Sequence, residues 1–480
     1  EGYAKKRVAL LAIGECARRL SGGGGAAVSD GVEAVVLVAL ESRHDEVRAA
    51  AAVALGCIAA GRSRGLPSLL KLVADRPKQK YMLLSALKKA LACLVDAKAA
   101  SCAADSNVGG GAHEGMNPTP TKKQRSRGGA AAELSAHAMA VEKVLVDNAD
   151  AKEEGVRSLV AECYGALLAG APRVILPRVK PLISKGACTR KMLLDALRHT
   201  LLRTAPGQAR WRGERGVVDE GVLGGLTHEE ETWRRCVTKL VKEALNSSEG
   251  VLELFKDTDL AVRRQAMVLL YTAMPYHPGL FNDSALTGVV VPEIYAAVTR
   301  DPKLVRTVNF GPFKHTVDDG LPLRRAGFRA LGVVIASTKG HASRQLVTSP
   351  QSLEKLAGGL ADNEADVALL AWRVLQDVAR SRAAQALLEI VDALPPRILS
   401  SIKKLLRAAK GTDAVAAERA RDVLKECVRG LHAVMLVPGV ERCTEFIQFF
   451  ERVKQTTLLN QMLKDIVRGD QGGAVRGSSR

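Results

Sequence analysis

Aromatic side chains are scarce. Phe, Tyr and Trp together make up 4% of the 480 residues, although hydrophobic residues reach 47%. With Ala, Leu and Val supplying most of that apolar content, the composition favours helices packed through small side chains over a β-sandwich or barrel. No stretch of about 18 or more apolar residues is free of charge, which excludes a transmembrane helix and a signal peptide from this reading. None of the nine Cys residues forms a Cys-x-x-Cys pair, and their spacings match no zinc pattern. Their odd number in a large chain points to a reducing compartment. The run from Gly22 to Gly25 lacks the Gly-Lys-Ser/Thr ending of a phosphate loop and reads as a flexible turn. The histidines show no metal-ligand spacing. His44 sits in a turn between helices. His315 lies near Asp318 and Asp319, a pairing capable of acid–base work, but no nucleophile or oxyanion-hole motif accompanies it. The expectation is no enzyme, no metal and no cofactor.

Positive charge is plentiful. Lys and Arg number 70 against 51 Asp and Glu, for a formal charge of +19. That sign suits an acidic partner, a nucleic acid or an anionic membrane. The basic residues are spread along the chain, with few aromatics interleaved to stack on bases, so most of them read as solvated helix faces.

Apolar residues recur at three- and four-residue intervals through most of the chain, the mark of amphipathic helices; from Tyr3 to Leu20 the apolar positions are Val8, Leu11, Ala12, Ile13 and Leu20, and Ala383 to Leu394 also reads as a helix. A short phrase also recurs: an acidic turn, an aliphatic residue, then an Arg opening a helix. It appears at Asp45-Glu46-Val47-Arg48, at Glu153-Glu154-Gly155-Val156-Arg157, at Asp259-Leu260-Ala261-Val262-Arg263 and at Asp319-Gly320-Leu321-Pro322-Leu323-Arg324. At Asp366-Val367-Ala368 the frame persists, but Ala368 replaces the Arg. This is the signature of HEAT-type helical repeats. The Asp accepts amide hydrogens at a helix start, the aliphatic residue begins the buried face, and the Arg is placed to reach the Asp of a neighbouring repeat. Helix pairs of this kind stack into a solenoid, with roughly eight to eleven units at a period of about 40 to 47 residues.

Domain boundaries follow from where the rhythm breaks. Residues 1–100, 136–203 and 233–304 read as HEAT repeats, and residues 321–468 as further repeats closed by a cap containing Phe446, Phe449 and Phe450. Residues 101–135 and 204–232 read as insertions, the first low in complexity and disordered. Its basic cluster, residues 122–127, fits either a nuclear-import signal or a plain soluble linker. Residues 469–480 read as a disordered tail.

Residues 305–320 do not look helical at all. Val305, Thr307, Val308, Phe313, Thr316 and Val317 are β-branched or aromatic and flank Gly311-Pro312, which is strand chemistry broken by turn chemistry. The spacing predicts a β-hairpin standing on the helical scaffold, with a reach of roughly 15 Å for arms of about five residues. Asp318 and Asp319 are each placed to cap the helix that follows. Val308, Phe310, Gly311, Pro312, Phe313, Lys314, His315, Thr316, Val317 and Asp318 are the candidate partner-binding residues. The two Phe side chains either bury in a partner or tuck back onto the scaffold.

The run from Gly311 through Pro312, Phe313, Lys314, His315, Thr316, Val317, Asp318, Asp319 and Gly320 to Leu321 strongly resembles the cullin-associated, neddylation-dissociated proteins. Similar stretches follow in the same order at Glu46-Val47-Arg48, at Pro77-Lys78-Gln79-Lys80-Tyr81, at Glu153-Glu154-Gly155 and from Asp257 to Met267. The likeness is to the C-terminal half of that family and fades in the two insertions and beyond Ser337. It implies a scaffold with no chemistry of its own. Such a scaffold wraps the N-terminal region of a cullin, while its hairpin occupies the surface needed by the substrate-receptor adaptor, so that receptors exchange. It also implies a cytoplasmic and nuclear protein without a small-molecule substrate or membrane. The chain opens on Glu1 rather than Met and reads as a piece of a longer protein, lacking the family's N-terminal repeats. The alternative is a generic HEAT scaffold for nuclear transport or RNA binding.

Overall fold

The apolar spacing is realised as helices stacked in two layers. A computed structural model of the chain describes residues 2–20, 30–62, 65–105, 122–203, 251–276, 284–310, 313–337 and 349–477. The glycine run at 22–25, the insertion 204–232 and residues 311 and 312 lie outside the described residues. The chain divides into two units, Glu1–Leu254 and Phe255–Arg480.

In the first unit the helices are α1 (Gly2–Leu20), α2 (Asp30–Ala39), α3 (Asp45–Gly61), α4 (Gly65–Asp75), α5 (Lys80–Asp105), α6 (Lys122–Val146), α7 (Glu154–Gly170), α8 (Pro172–Ile183) and α9 (Ala187–Arg203). Odd-numbered helices pack on one another in series, α1 on α3 through to α7 on α9, and the even-numbered helices back them. That alternation is the architecture of an all-α HEAT-repeat solenoid. Its core is aliphatic and alanine-rich, with Leu83, Leu87, Leu167 and Leu197 wholly buried.

The second unit repeats the plan with α10 (Leu260–Ala273), α11 (Ser284–Val298), α12 (Leu321–Ser337), α13 (Pro350–Leu360), α14 (Ala365–Arg380), α15 (Leu394–Ala408), α16 (Ala414–Met435), α17 (Thr444–Gln455) and α18 (Thr457–Gly477). One layer runs α10, α12, α14, α16, α18, and the other α11, α13, α15, α17. The few large rings are placed where a neighbour makes room. Trp372 of α14 lies against Gly430 of α16, where a Cβ would stand 2.6 Å from the indole. Phe446, Phe449 and Phe450 are buried in the last repeat, and the Phe446 amide donates to Asp392 Oδ1 at 3.0 Å.

The structure departs from the sequence reading in five places. Helix α5 continues to Asp105 and α6 begins at Lys122, so both flanks of the expected disordered insertion are helical, while its residues 106–121 lie outside the described residues. The Ala residues after Lys98 and the Lys, Gln and Arg residues of 122–127 are strong helix formers, and extending an existing helix avoids a new nucleus. The same economy carries α18 to Gly477, into the expected tail. The segment 383–394, expected as a helix, forms two 3₁₀ turns at Ala384–Glu389 and Val391–Ala393. Pro395 and Pro396 act there as the start of α15 rather than as the end of a preceding helix. In α1 the buried face is Leu10, Gly14 and Ala17, whereas Val8 and Leu11, expected inside, are exposed.

The fifth departure concerns the repeat arginines. Arg48 pairs with Asp45 and donates to Ser42 O at 2.7 Å, while Arg157 donates to the carbonyls of Ala151 and Lys152 at 2.7 and 2.8 Å. These guanidinium groups fold back and satisfy the turn of their own repeat rather than reaching the next one. Arg263 has its Nε buried without a hydrogen-bond partner. Among the described residues the expected reach to the next repeat is made from α12, by Arg324 to Asp362 and by Arg325 to Asp366.

Candidate functional site: a hairpin between two helices

Between α11 and α12 the helical rhythm stops. Asp301 closes a single 3₁₀ turn by accepting the Lys303 amide at 2.9 Å, and the chain leaves it extended. Strand β1 (Val305–Phe310) then pairs antiparallel with β2 (Phe313–Asp318). Val305 faces Asp318, Thr307 faces Thr316, Val308 faces His315, Asn309 faces Lys314 and Phe310 faces Phe313. The strands form because β-branched residues occupy both arms, and Gly311-Pro312 stands at the two positions between them. Their principal packing is on each other. Arg306, Thr307, Asn309, Lys314 and Thr316 are exposed, whereas Val308 and Val317 are half-buried. The side chains of Phe310, Phe313 and His315 lie outside the described residues, so the choice between projecting and tucked rings belongs to the proposal below.

The base of the hairpin is fixed by charge. The Asp319 amide donates to Leu304 O at 3.0 Å, closing the ladder. Asp319 then takes two hydrogen bonds from the exposed Arg306, at 2.7 and 3.3 Å. The Arg306 guanidinium holds the Asp319 carboxyl below its ordinary pKa. Asp318 accepts the Gly320 amide at 3.0 Å just before α12, and its other oxygen accepts from Arg324 Nη1 at 2.7 Å. Arg324 is 2% exposed. Its Nε lies 3.3 Å from Asp362 Oδ2 without the alignment of a hydrogen bond, and its Nη2 has no hydrogen-bond partner. Arg300 Nε lies 3.7 Å from the same Asp318 oxygen. One buried guanidinium therefore joins the foot of the hairpin to the turn between α13 and α14.

Three of these anchors escaped the sequence reading: Arg300, Arg306 and Asp362. Arg306 had a visible signal, since it lies in a strand one register step from an acidic pair. Arg300 and Asp362 had none, because only the stacking of successive helix pairs brings them to Asp318 and Arg324. Of the repeat-turn residues, Asp259 accepts the amides of Ala261 and Val262 at 2.7 and 3.2 Å, at the start of α10. His44 stacks on Tyr3, with ring centroids 5.1 Å apart. Among the described residues there is no cluster of His, Cys, Asp and Glu able to hold a metal ion, and no helix long and apolar enough to cross a membrane.

The hairpin lies within the segment 284–454, which matches the family model described as TATA-binding protein interacting (TIP20). Similarity to known proteins extends much further. "Cullin-associated NEDD8-dissociated protein 1" of Arabidopsis thaliana is 26% identical over 470 residues, covering 96% of this chain and 32% of that protein. The protein of the same name from Dictyostelium discoideum is 24% identical over 467 residues, covering 96% and 31%. The chain is a relative of the cullin-associated NEDD8-dissociated proteins. "Cullin-associated NEDD8-dissociated protein 2" of Mus musculus is 26% identical over 444 residues, covering 91% of the chain and 30% of that protein. The chain thus spans about a third of the length of the cullin-associated NEDD8-dissociated proteins it matches. These relatives bear cullin-related names, and the alternative of a transport or RNA-binding solenoid is not favoured by them.

Proposed function

We propose that this chain is a non-enzymatic cullin-binding scaffold whose hairpin competes with the substrate-receptor adaptor of cullin–RING ubiquitin ligases. The observation that carries the reading is the paired β1–β2 finger, held at its foot by Arg306–Asp319 and Arg324–Asp318, within a chain related to cullin-associated proteins. The helical layers supply area for the N-terminal region of a cullin. Val308, Phe310, Gly311, Pro312, Phe313, Lys314, His315, Thr316 and Val317 form the part that meets the adaptor's landing surface, with Asp318 anchoring it. Two ligands that exclude each other from one surface weaken each other's binding by the same factor, so competition is reciprocal. A ternary complex then loses one partner quickly and receptors exchange. In this reading no small molecule, cofactor, nucleic acid or membrane takes part, and the setting is the cytoplasm and nucleus.

The test removes the finger and keeps the scaffold. A chain lacking residues 309–316 should still be retained by a purified cullin but no longer be displaced by adaptor. If adaptor displaces the deleted chain as well as the intact one, the competition mechanism is wrong.

A further inference from the structure

Part of the positive charge is gathered on one helix. From Ala393 to Thr412 the chain carries Arg397, Lys403, Lys404, Arg407 and Lys410, and no Asp or Glu. All five cations are exposed. They form two stripes on α15. Arg397 and Lys404, seven residues apart, are spent within the fold: Arg397 pairs with Glu354 of α13 at 2.7 Å, and Lys404 donates to Asn363 Oδ1 at 3.2 Å. Lys403, Arg407 and Lys410 follow at intervals of four and three, so they share another face. The Lys410 amide donates to Arg407 O at 3.2 Å, which keeps it in the last turn. This second stripe is about 10 Å long at roughly 1.5 Å per residue. Among the described residues no carboxylate pairs with its three cations. Asp413, the nearest acidic residue along the chain, is committed to the amides of Val415 and Ala416 at 3.0 and 3.1 Å.

The fold itself does not call for this cluster. A helix C-terminus favours cations, yet α10, α11, α12 and α13 have none in their last turn. The neighbours of α15 in its own layer mix signs, with Glu354 beside Lys355 on α13, and Glu445 and Glu451 beside Arg452 and Lys454 on α17. Aliphatic side chains accompany the free stripe. Leu406, half-buried, stands three residues after Lys403 and four before Lys410, and Val415 is 59% exposed just beyond the turn. Aromatic ones do not: from Arg373 to Glu445 there is no Phe, Tyr or Trp. Rings stack on bases and anchor helices at a lipid boundary, so the surface suits neither ligand. Carboxylates spaced along a helix, with aliphatic residues between them, match it in charge and in period.

We propose that this face of α15 is a docking surface for an acidic amphipathic helix of a protein partner. The partner's Asp and Glu side chains meet Lys403, Arg407 and Lys410, and its aliphatic residues meet Leu406 and Val415. Docking here needs neither the hairpin nor a cullin.

The test titrates the full chain into a fluorescein-labelled helical peptide carrying Glu at intervals of three and four with Leu beside them, at about 100 mM salt, and reads anisotropy. The triple variant Lys403→Glu, Arg407→Glu, Lys410→Glu should bind the peptide about tenfold more weakly with an unchanged melting temperature. A second triple variant, Lys78→Glu, Lys152→Glu, Lys185→Glu, changes the net charge equally at three other exposed lysines and should bind within about twofold of the parent. Replacing Leu by Ser in the peptide should also weaken binding. No binding by the parent, or equal loss in the two variants, would overturn the proposal, the second by reducing the affinity to net charge. A labelled duplex or phosphatidylserine vesicles that lose more binding than the peptide does on the α15 variant would overturn it as well.

Discussion

Two arginines within one short segment show how far burial decides the worth of a charge. Arg306 and Asp319 are exposed, and solvent screens them. Arg324 is 2% exposed between Asp318 and Asp362. Removing its guanidinium leaves two carboxylates facing each other with little water. Breaking a buried ion pair from one side costs about 3–5 kcal/mol. Arg324→Ala should therefore lower the urea midpoint markedly, whereas Arg306→Ala should leave it within error. Equal effects from the two variants would mean that the buried cluster does not couple the hairpin to α13 and α14. His199 gives a second residue-scale prediction, in pH. Burial and the neighbouring Arg198 hold its imidazole at about 4, below the ordinary 6.5, with Glu162 opposing. Arg198 Nη2 lies 3.0 Å from the ring Nε2, which suits a neutral ring accepting there. As pH falls through this interval the unfolded chain binds a proton that the folded chain refuses, so stability is full above about pH 6.5 and declines toward pH 4. The loss is on the order of 1–2 kcal/mol once partial exposure is allowed for. Urea titrations at a series of pH values should show that slope in the parent chain and a flatter one in His199→Gln.

At the scale of elements, the hairpin was legible because its chemistry contradicts its surroundings. Val305, Thr307, Val308, Thr316 and Val317 do not suit a helix, and Gly311-Pro312 is turn chemistry in the sequence between them. The helices were legible from their apolar period, and Asp259 announced the start of α10. What could not be read was the reach of each Arg. The phrase at Arg48 and at Arg157 resembles that at Arg324, but which acceptor lies nearest is set by tertiary stacking and not by spacing. The segment 383–394 misled for a related reason: Leu387 and Val391 keep a helical interval, yet 3₁₀ turns satisfy that interval too. The finger's own prediction follows from its register. Phe310 and Phe313 are opposite each other at the tip, and aromatic anchors dominate interface energetics. Phe313→Ala should weaken competition with adaptor about tenfold, ~1.4 kcal/mol, with no change in melting temperature. A large drop in melting temperature would instead place that ring against the scaffold.

For the whole molecule the question is what a charge of +19 is for. Some of the 70 basic side chains are engaged between helices, in pairs that are neutral and leave the excess untouched. Lys88 pairs with Glu162, Arg178 with the buried Glu142, Arg203 with Asp96, Arg373 with Glu426 and Arg397 with Glu354. Each pair joins two different helices of one unit, so these cations serve the stack. A nucleic-acid reader needs the opposite arrangement, with free cations in register along a backbone and rings to stack on bases. The two designs separate by salt. Binding to duplex DNA carried by released counterions falls with a log–log slope of about −0.9 per phosphate contacted, and between about 50 and 200 mM salt it loses several orders of magnitude. A cullin interface held by shape and apolar area loses association rate in salt but keeps most of its affinity. The chain should therefore remain on an immobilised cullin at about 200 mM salt while its anisotropy signal with a labelled duplex disappears over the same range. Retention of the duplex with loss of the cullin would transfer the function to nucleic acid and leave the hairpin without a role in competition.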